Sequence, residues 1–257
     1  MPRYKLTIEY DGTGLVGWQR QDNGPSVQAI LEAAAAKLAG EPVVLAAAGR
    51  TDAGVHATGQ VAHVDLPRAF RSDQVRDGLN FWLRGENAPV VVLASTRVGD
   101  DFHARFSAVG RRYLYRIVDR RPPPVLDRFR VLWARRRLDA EAMHRAAQHL
   151  LGNHDFSTFR AAECQSASPV KTLDRLDVLR VGEEIRVTAW ARSFLHHQVR
   201  NMVGSLRLVG EGKWSEADLL RALAACDRRQ GGPTAPPHGL YLTEVIYPAA
   251  DEVEEQR

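Results

Sequence analysis

The sequence predicts an α+β fold built on a mixed or antiparallel sheet. Strand-like and helix-like segments occur along the whole chain, and several predicted strands follow one another without a helix between them. The proline triplet at 122–124 marks a boundary between two halves, residues 1–120 and 121–257, whose elements follow a similar order. We therefore expect two related halves, the first of which contains the loop with the candidate catalytic residues, 49–57.

In the first half, Tyr4 to Tyr10 alternate apolar and polar residues, which predicts a strand. The next segment predicts a helix with Ser26 as N-cap and Gly40 at its end, because its apolar residues recur with helical spacing. The loop GRTDAGVHATG lies between the first two strands that follow. Strands are predicted at 42–48, 60–66, 90–97 and 111–118, and a second helix at 72–83.

In the second half, a helix is expected to begin at Asp139 and to end near Gly152. Ser215 and Asp218 form a predicted capping box at the start of another helix. The remaining elements are strands at 171–181, 184–192 and 240–247 and a helix at 195–209.

The charge distribution predicts a negatively charged partner. The net charge is +4, but residues 251–257 (DEVEEQR) carry four acids and one arginine, so the remainder carries +7. Residues 102–137, here called the arginine stripe, contain eleven arginines and two acids. Such a stripe is typical of proteins that bind a phosphate backbone. The alternative is a compositional bias, since arginine outnumbers lysine 31 to 4 in the chain.

Secretion and membrane insertion are disfavoured. The segment MPRYKLTIEY contains no apolar core of a signal peptide, and no apolar run approaches the ~20 residues of a membrane span. The two cysteines, Cys164 and Cys226, form no C-x-x-C motif. We expect a cytoplasmic protein without a membrane partner.

A dinucleotide-dependent oxidoreductase is the first alternative, because Gly12, Gly14 and Gly17 spell G-x-G-x-x-G after a strand. That motif requires a helix to open at the third glycine, so that its N-terminus faces the pyrophosphate. Helical spacing restarts only at Val27, and the acid Glu32 lies inside the predicted helix. A glycine-rich turn is therefore the favoured interpretation.

The loop GRTDAGVHA, residues 49–57, carries the candidate chemistry. Gly49 and Gly54 permit tight turns that can project the carboxylate of Asp52 into a cleft. Arg50 is close enough in sequence to keep that carboxylate ionised, as a nucleophile requires. The alternative is an Asx turn without a chemical role.

This loop, followed by GQVAHV, resembles the catalytic signature of the tRNA pseudouridine synthase A family. The resemblance covers nearly the whole chain. Further motifs that match in the same order are YDGTGLVGWQRQ (10–21), FHARFSAVGRRYLYRI (102–117), FLHHQVRNMVGSL (194–206) and GLYL (239–242).

The resemblance implies two pseudo-symmetric halves that share one extended sheet with flanking helices and a central basic cleft. It implies a homodimer that acts on uridines in the anticodon stem-loop of tRNA. By position, Asp52 is the catalytic aspartate, Arg50 is its partner and takes the place of the flipped base, Tyr113 stacks on the target base, and Leu240 contacts the substrate. RNA contacts are implied at Phe102, His103, Ala104, Arg105, Phe106, Arg111, Arg112, Arg200 and the segment 163–167.

The sequence departs from the family pattern at LNFWLRGENAPV, which lacks a Leu-Pro and an acid-Ile pair, and at Ala167, where the family often has a basic residue. These departures bear on RNA contacts and loop shape. For Tyr113, a core tyrosine on an alternating strand is the alternative.

Isomerisation of uridine loses no group and transfers no electrons, so neither a cofactor nor a metal is expected. His196 and His197 are adjacent, and on a helix such a pair would diverge instead of facing one ion. Asp52 could attack the ribose, add to the uracil or remove a ribose proton. An RNA-binding protein without catalysis is the remaining alternative.

Overall fold

The structure is a computed structural model, and it describes residues 1–248. The acidic segment DEVEEQR lies outside the described residues. The chain divides into two compact units: the first contains Met1–Val109 and the chain from Leu242, and the second contains Gly110–Tyr241. Within residues 1–248 there are ten strands and five α-helices, so the predicted α+β class is confirmed.

The first unit is a sheet with two helices packed against it. Its elements are β1 (Arg3–Tyr10), α1 (Val27–Ala39), β2 (Leu45–Ala47), β3 (His56–Asp65), α2 (Ser72–Gly85), β4 (Val90–Val98) and β10 (Leu240–Ile246). Strand β10 belongs to this unit from Leu242 onward. The strand order is β4–β1–β3–β10, and β1 pairs antiparallel with both neighbours. Helix α2 packs on β4 and on α1.

Local chemistry explains the bounds of α1. Ser26 Oγ accepts a hydrogen bond from Ala29 N at 3.3 Å, which satisfies an N–H that the helix leaves unpaired. Gly40 ends the helix with a φ of +83°, a left-handed conformation that glycine adopts without strain. Both residues were predicted from the sequence.

The second unit is a mixed sheet covered by helices. Its elements are β5 (Gly110–Val118), β6 (Leu132–Trp133), α3 (Ala140–Gln148), β7 (Gly152–Asp155), β8 (Val170–Val181), β9 (Glu184–Ala191), α4 (Gln198–Gly210) and α5 (Glu216–Ala224). The strand order is β5–β9–β8–β7 with antiparallel pairs, while β6 pairs parallel with β5. Helix α3 packs on β8 and on α4.

A buried ion pair stabilises the second unit. The Asp119 side chain is fully buried just after β5, where it accepts hydrogen bonds from Arg180 Nη1 and Nη2 at 2.8 and 2.7 Å. Leu138 N donates to the same carboxylate at 2.9 Å. Burial alone would raise the pKa of Asp119, but Arg180 and the Leu138 amide hold it below its ordinary value. The pair therefore joins β5, the start of α3 and β8.

Several predicted bounds need correction. The strand predicted at 42–48 is shorter than expected, since only β2 (Leu45–Ala47) pairs with β3. The strand predicted at 60–66 begins at His56, immediately after the glycine turn. The helix predicted from Asp139 ends at Gln148, and the polar strand β7 follows in its place.

The observed division of the chain differs from the predicted halves. The first unit ends at Val109 instead of residue 120, so β5 belongs to the second unit, whereas β10 from Leu242 belongs to the first. The proline triplet lies inside the second unit, between β5 and β6. A local composition signal could not reveal that β10 pairs with β3 in the first unit. None of the helices in residues 1–248 combines the length and apolar character needed to cross a membrane.

Candidate active site

Asp52 occupies the first position of a tight turn between β2 and β3. Val55 N donates to Asp52 O at 3.1 Å and closes the turn over Ala53 and Gly54. Gly54 has a φ of +76°, the left-handed conformation that the third position of a type II turn requires. The Asp52 side chain is half-buried, so part of its surface remains accessible.

The glycines of the N-terminal motif pack their backbone against this turn. A Cβ atom on Gly12 would lie 2.1 Å from Val55 O, and one on Gly17 would lie 2.6 Å from Thr51 O and 3.0 Å from Asp52 C. Trp18 N donates to Thr51 O at 3.0 Å. The glycines therefore permit close contact between two loops. No helix opens at Gly17, since α1 begins at Val27, which contradicts the dinucleotide interpretation.

A buried polar network holds the backbone on both sides of Arg50. Tyr10 Oη lies 2.8 Å from Thr51 Oγ1, and Gln60 Nε2 donates to Gly49 O at 2.9 Å. The side chains of Tyr10 and Gln60 are both buried. The sequence did not predict a role in the site for Tyr10 or Gln60. The signal that could have identified Gln60 is its polar side chain among the inward-facing residues of a strand.

His56 attaches the N-terminal loop to the start of β3. Its buried ring accepts a hydrogen bond at Nδ1 from Gly12 N at 3.0 Å. Asp11 Oδ1 lies 3.2 Å from the same nitrogen, so the ring contacts two residues of the N-terminal loop.

Arg50 is exposed, between two residues that the buried network fixes. Its predicted pairing with Asp52 stays a prediction. The structure shows that hydrogen bonds of Gly49 and Thr51 hold the backbone on either side of Arg50. The hydrogen bond from Val55 N to Asp52 O holds the backbone at Asp52.

Tyr113 lies in β5, opposite Ala189 of β9. Its half-buried ring meets Phe194 edge to face, with centroids 5.2 Å apart and planes at 88°. The description of a core tyrosine fits Tyr115 instead, which is fully buried and donates to Pro236 O at 2.7 Å. An accessible ring in a defined orientation suits the stacking role predicted for Tyr113.

The segment FHARF combines core and surface residues. Phe102 and Ala104 have buried side chains, and Ala104 N donates to His63 Nδ1 at 3.1 Å. Burial, with the nearby Arg3 and His103, lowers the pKa of His63 to about 4. A neutral His63 can accept the Ala104 hydrogen bond, so it fixes this segment against β3.

The other side chains of this segment form an aromatic and basic surface. Phe106 is 74% exposed, and its ring lies 4.4 Å from that of His103. The Arg105 guanidinium is 5.7 Å from the Phe106 ring centroid. Of the predicted RNA contacts in this segment, these three side chains are the ones accessible to a ligand.

The arginine stripe does not form one uniform basic surface. Arg111 is buried and donates through Nη1 to Arg192 O at 2.6 Å. Arg116 binds Glu184 at 2.9 and 3.1 Å, and Arg120 binds Glu183 at 2.8 Å. These acids come from the β8–β9 hairpin, outside the stripe in the sequence. The unpaired positive charge of the stripe is therefore smaller than its own composition predicts. The exposed arginines of the stripe are Arg105, Arg121, Arg128, Arg130, Arg135, Arg136 and Arg137.

Arg112 differs from its neighbour Arg111. It is half-buried, and its guanidinium lies 4.7 Å from the centroid of the Trp190 ring. This contact orients the side chain on β5 next to Tyr113 in sequence, so Arg112 remains a candidate for RNA binding.

The histidine pair precedes α4 instead of lying inside it. His197 has a φ of +62°, and the helix begins at Gln198, whose Oε1 accepts from Leu195 N at 2.8 Å. The rings of His196 and His197 are 4.0 Å apart. The predicted divergence of the two side chains is therefore wrong, and it no longer argues against a metal at this pair.

Further predicted contacts lie in the second unit, where Glu163 and Ala167 of the segment 163–167 are exposed. Arg200 Nε donates to Ala235 O at 2.8 Å, and Ala235 N donates to Arg200 O at 3.1 Å, so Arg200 helps to fix the segment before β10. Leu240 is buried at the start of β10. Their predicted roles toward RNA and substrate stay predictions.

Comparison with known proteins agrees with the motifs. A family model described as tRNA pseudouridine synthase matches residues 6–107 and 146–248. The chain is 66% identical over 250 residues to tRNA pseudouridine synthase A of Paramagnetospirillum magneticum, covering 97% of each chain. It is 64% identical to the protein of that name from Azorhizobium caulinodans, covering 96% of this chain and 95% of the relative. With that of Maricaulis maris it shares 61% identity, covering 96% and 99%.

Proposed function

Because the chain belongs to the tRNA pseudouridine synthase family, we propose that it isomerises uridine to pseudouridine in the anticodon stem-loop of tRNA, with Asp52 as the catalytic carboxylate. The observation that carries the proposal is the turn that presents Asp52. Gly12 and Gly17 contact its backbone, and the Tyr10–Thr51 hydrogen bond holds the residue before it. A catalytic group on a fixed backbone gains from positional accuracy.

The chemistry balances without an added reactant. The bond between ribose C1′ and uracil N1 breaks, the uracil rotates, and C1′ joins C5. The proton at C5 leaves, and N1 gains one. Asp52 can serve this sequence by attacking the ribose, adding to the uracil or removing a ribose proton, and no cofactor is needed for any of the three.

The target uridine has to leave the RNA stack before Asp52 can reach it, at a cost of a few kcal/mol. Stacking on an aromatic ring contributes about 1–3 kcal/mol, and Tyr113 is the residue proposed for it. Arg50 takes the place of the flipped base in the stack. The accessible Arg105, Phe106 and Arg112 are proposed to contact the surrounding RNA.

We also propose that the protein acts in the cytoplasm as a homodimer, as the family resemblance implies. Sedimentation equilibrium of the purified protein measures its mass directly. A mass of twice 28.6 kDa is expected, and a mass of one chain would contradict the dimer.

The function is tested with tRNA transcripts that carry tritium at C5 of every uracil. Formation of the new carbon–carbon bond displaces this hydrogen, so tritium should enter the water. A matched transcript whose anticodon stem-loop uridines are replaced by cytidine should release none. Release from both transcripts would contradict the anticodon position. Tight binding without release from either would favour the RNA-binding alternative.

A further inference from the structure

Glu32 is a buried carboxylate that the proposed reaction does not use. It lies in the middle of α1, and only 7% of its side chain is exposed. Its Oε1 accepts hydrogen bonds from Gln28 Nε2 at 2.9 Å and Leu45 N at 3.0 Å, and its Oε2 accepts one from Arg20 Nη2 at 2.5 Å. A buried charge is costly unless it is paired and hydrogen-bonded, and Glu32 meets both conditions.

Arg20 is held at its backbone as well as at its guanidinium. Arg20 N donates to Gln28 Oε1 at 3.1 Å, and Gln28 N donates to Trp18 O at 3.0 Å. The segment 18–20 therefore wraps the first turn of α1. The Arg20 side chain nevertheless remains 60% exposed. The Glu32 bond occupies one of the five N–H donors of the guanidinium, so a fixed and accessible group still has donors to offer.

This guanidinium extends from the loop that touches the catalytic turn. Gly17, three residues before Arg20, is the residue whose added Cβ would meet Thr51 O and Asp52 C. Trp18 N donates to Thr51 O. An oriented arginine on a loop that packs against the turn of Asp52 is suited to hold RNA backbone that flanks a flipped nucleotide, because guanidinium groups match phosphate geometry.

We propose that Arg20, whose guanidinium donates a hydrogen bond to Glu32, binds a phosphate of the substrate tRNA. This inference rests on the proposed function, since it takes tRNA as the ligand. The competing explanation is that Arg20 serves only to neutralise Glu32. The two explanations differ in what happens when both charges are removed together.

The experiment compares Glu32→Gln with the double variant Arg20→Gln/Glu32→Gln. The double variant leaves no unpaired buried carboxylate, so its folding is not compromised by the loss of Arg20. Affinity for unmodified tRNA is measured by fluorescence anisotropy at several salt concentrations. We expect the double variant to bind several-fold more weakly than Glu32→Gln at low salt. The slope of log affinity against log salt should fall by about 0.7–0.9, the value for one lost phosphate contact.

A matched control is Arg68→Gln, which removes an exposed arginine of the same unit and should leave both affinity and slope unchanged. Equal affinity and equal slope for the two Glu32 variants would overturn the phosphate contact. A lower kcat at saturating tRNA with unchanged affinity would also overturn it, because Arg20 would then act on the catalytic turn alone. The binding readout needs no turnover, so absence of tritium release by the unmodified protein would count against the proposed function and not against Arg20.

Discussion

Replacement of Gly17 by alanine tests whether loop contact positions the carboxylate of Asp52, for which we propose the catalytic role. The new Cβ would lie 2.6 Å from Thr51 O, whereas ordinary contact begins near 3.4 Å, so the loops must separate by about 0.8 Å. A displacement near 1 Å at a catalytic group costs on the order of 100-fold in rate. Gly17 also has a φ of +103°, which adds about 1–2 kcal/mol of strain for alanine. We expect kcat to fall about 100-fold in a folded protein.

Gly14→Ala is the matched control. Gly14 belongs to the same loop and has a φ of +77°, but its added Cβ would meet nothing within 4 Å. It should lose stability through backbone strain and keep its kcat. Tritium release at saturating tRNA gives kcat, and urea unfolding gives stability. If the kcat of Gly17→Ala is within about twofold of that of Gly14→Ala, well short of the expected 100-fold loss, the positioning argument is refuted.

Three further predictions concern stability and base binding. Asp119→Asn should lower the free energy of unfolding by about 3 kcal/mol in a urea titration, because it breaks a buried pair whose Arg180 is 24% exposed; a loss below about 1 kcal/mol would contradict this. The pKa of His63 is lowered to about 4, so the unfolded chain binds its proton first and stability should fall as pH drops from about 6.5 to 4. His63→Gln should reduce that fall, and an unchanged pH dependence would exclude His63 as its source. Tyr113→Phe should retain tRNA affinity whereas Tyr113→Ala should lose about 1–3 kcal/mol; equal losses would assign the role to the hydroxyl.

The parts of the fold that the sequence predicts well are those decided by local chemistry. Ser26 and Gly40 bound α1 as expected, because capping depends on residues within one turn. The capping box of Ser215 and Asp218 is present at α5 for the same reason.

Features that depend on distant pairing could not be read from the sequence. Glu183 and Glu184 neutralise arginines of the stripe although they lie more than 60 residues away. Gln60 reaches Gly49 only because the strand register brings them together. The conformation of His197 depends on how α4 begins, which a periodicity pattern does not specify.

The central claim is that the carboxylate of Asp52 carries the reaction. Asp52→Asn keeps the size and shape of the side chain and removes its charge, so folding and tRNA affinity should be retained. Asp77→Asn, which changes an exposed acid on α2, is the control and should leave turnover intact. The decisive measurement is tritium release from C5-labelled tRNA by Asp52→Asn under saturating conditions. The account predicts release at background level, whereas release at a rate comparable to that of the unmodified protein would contradict it.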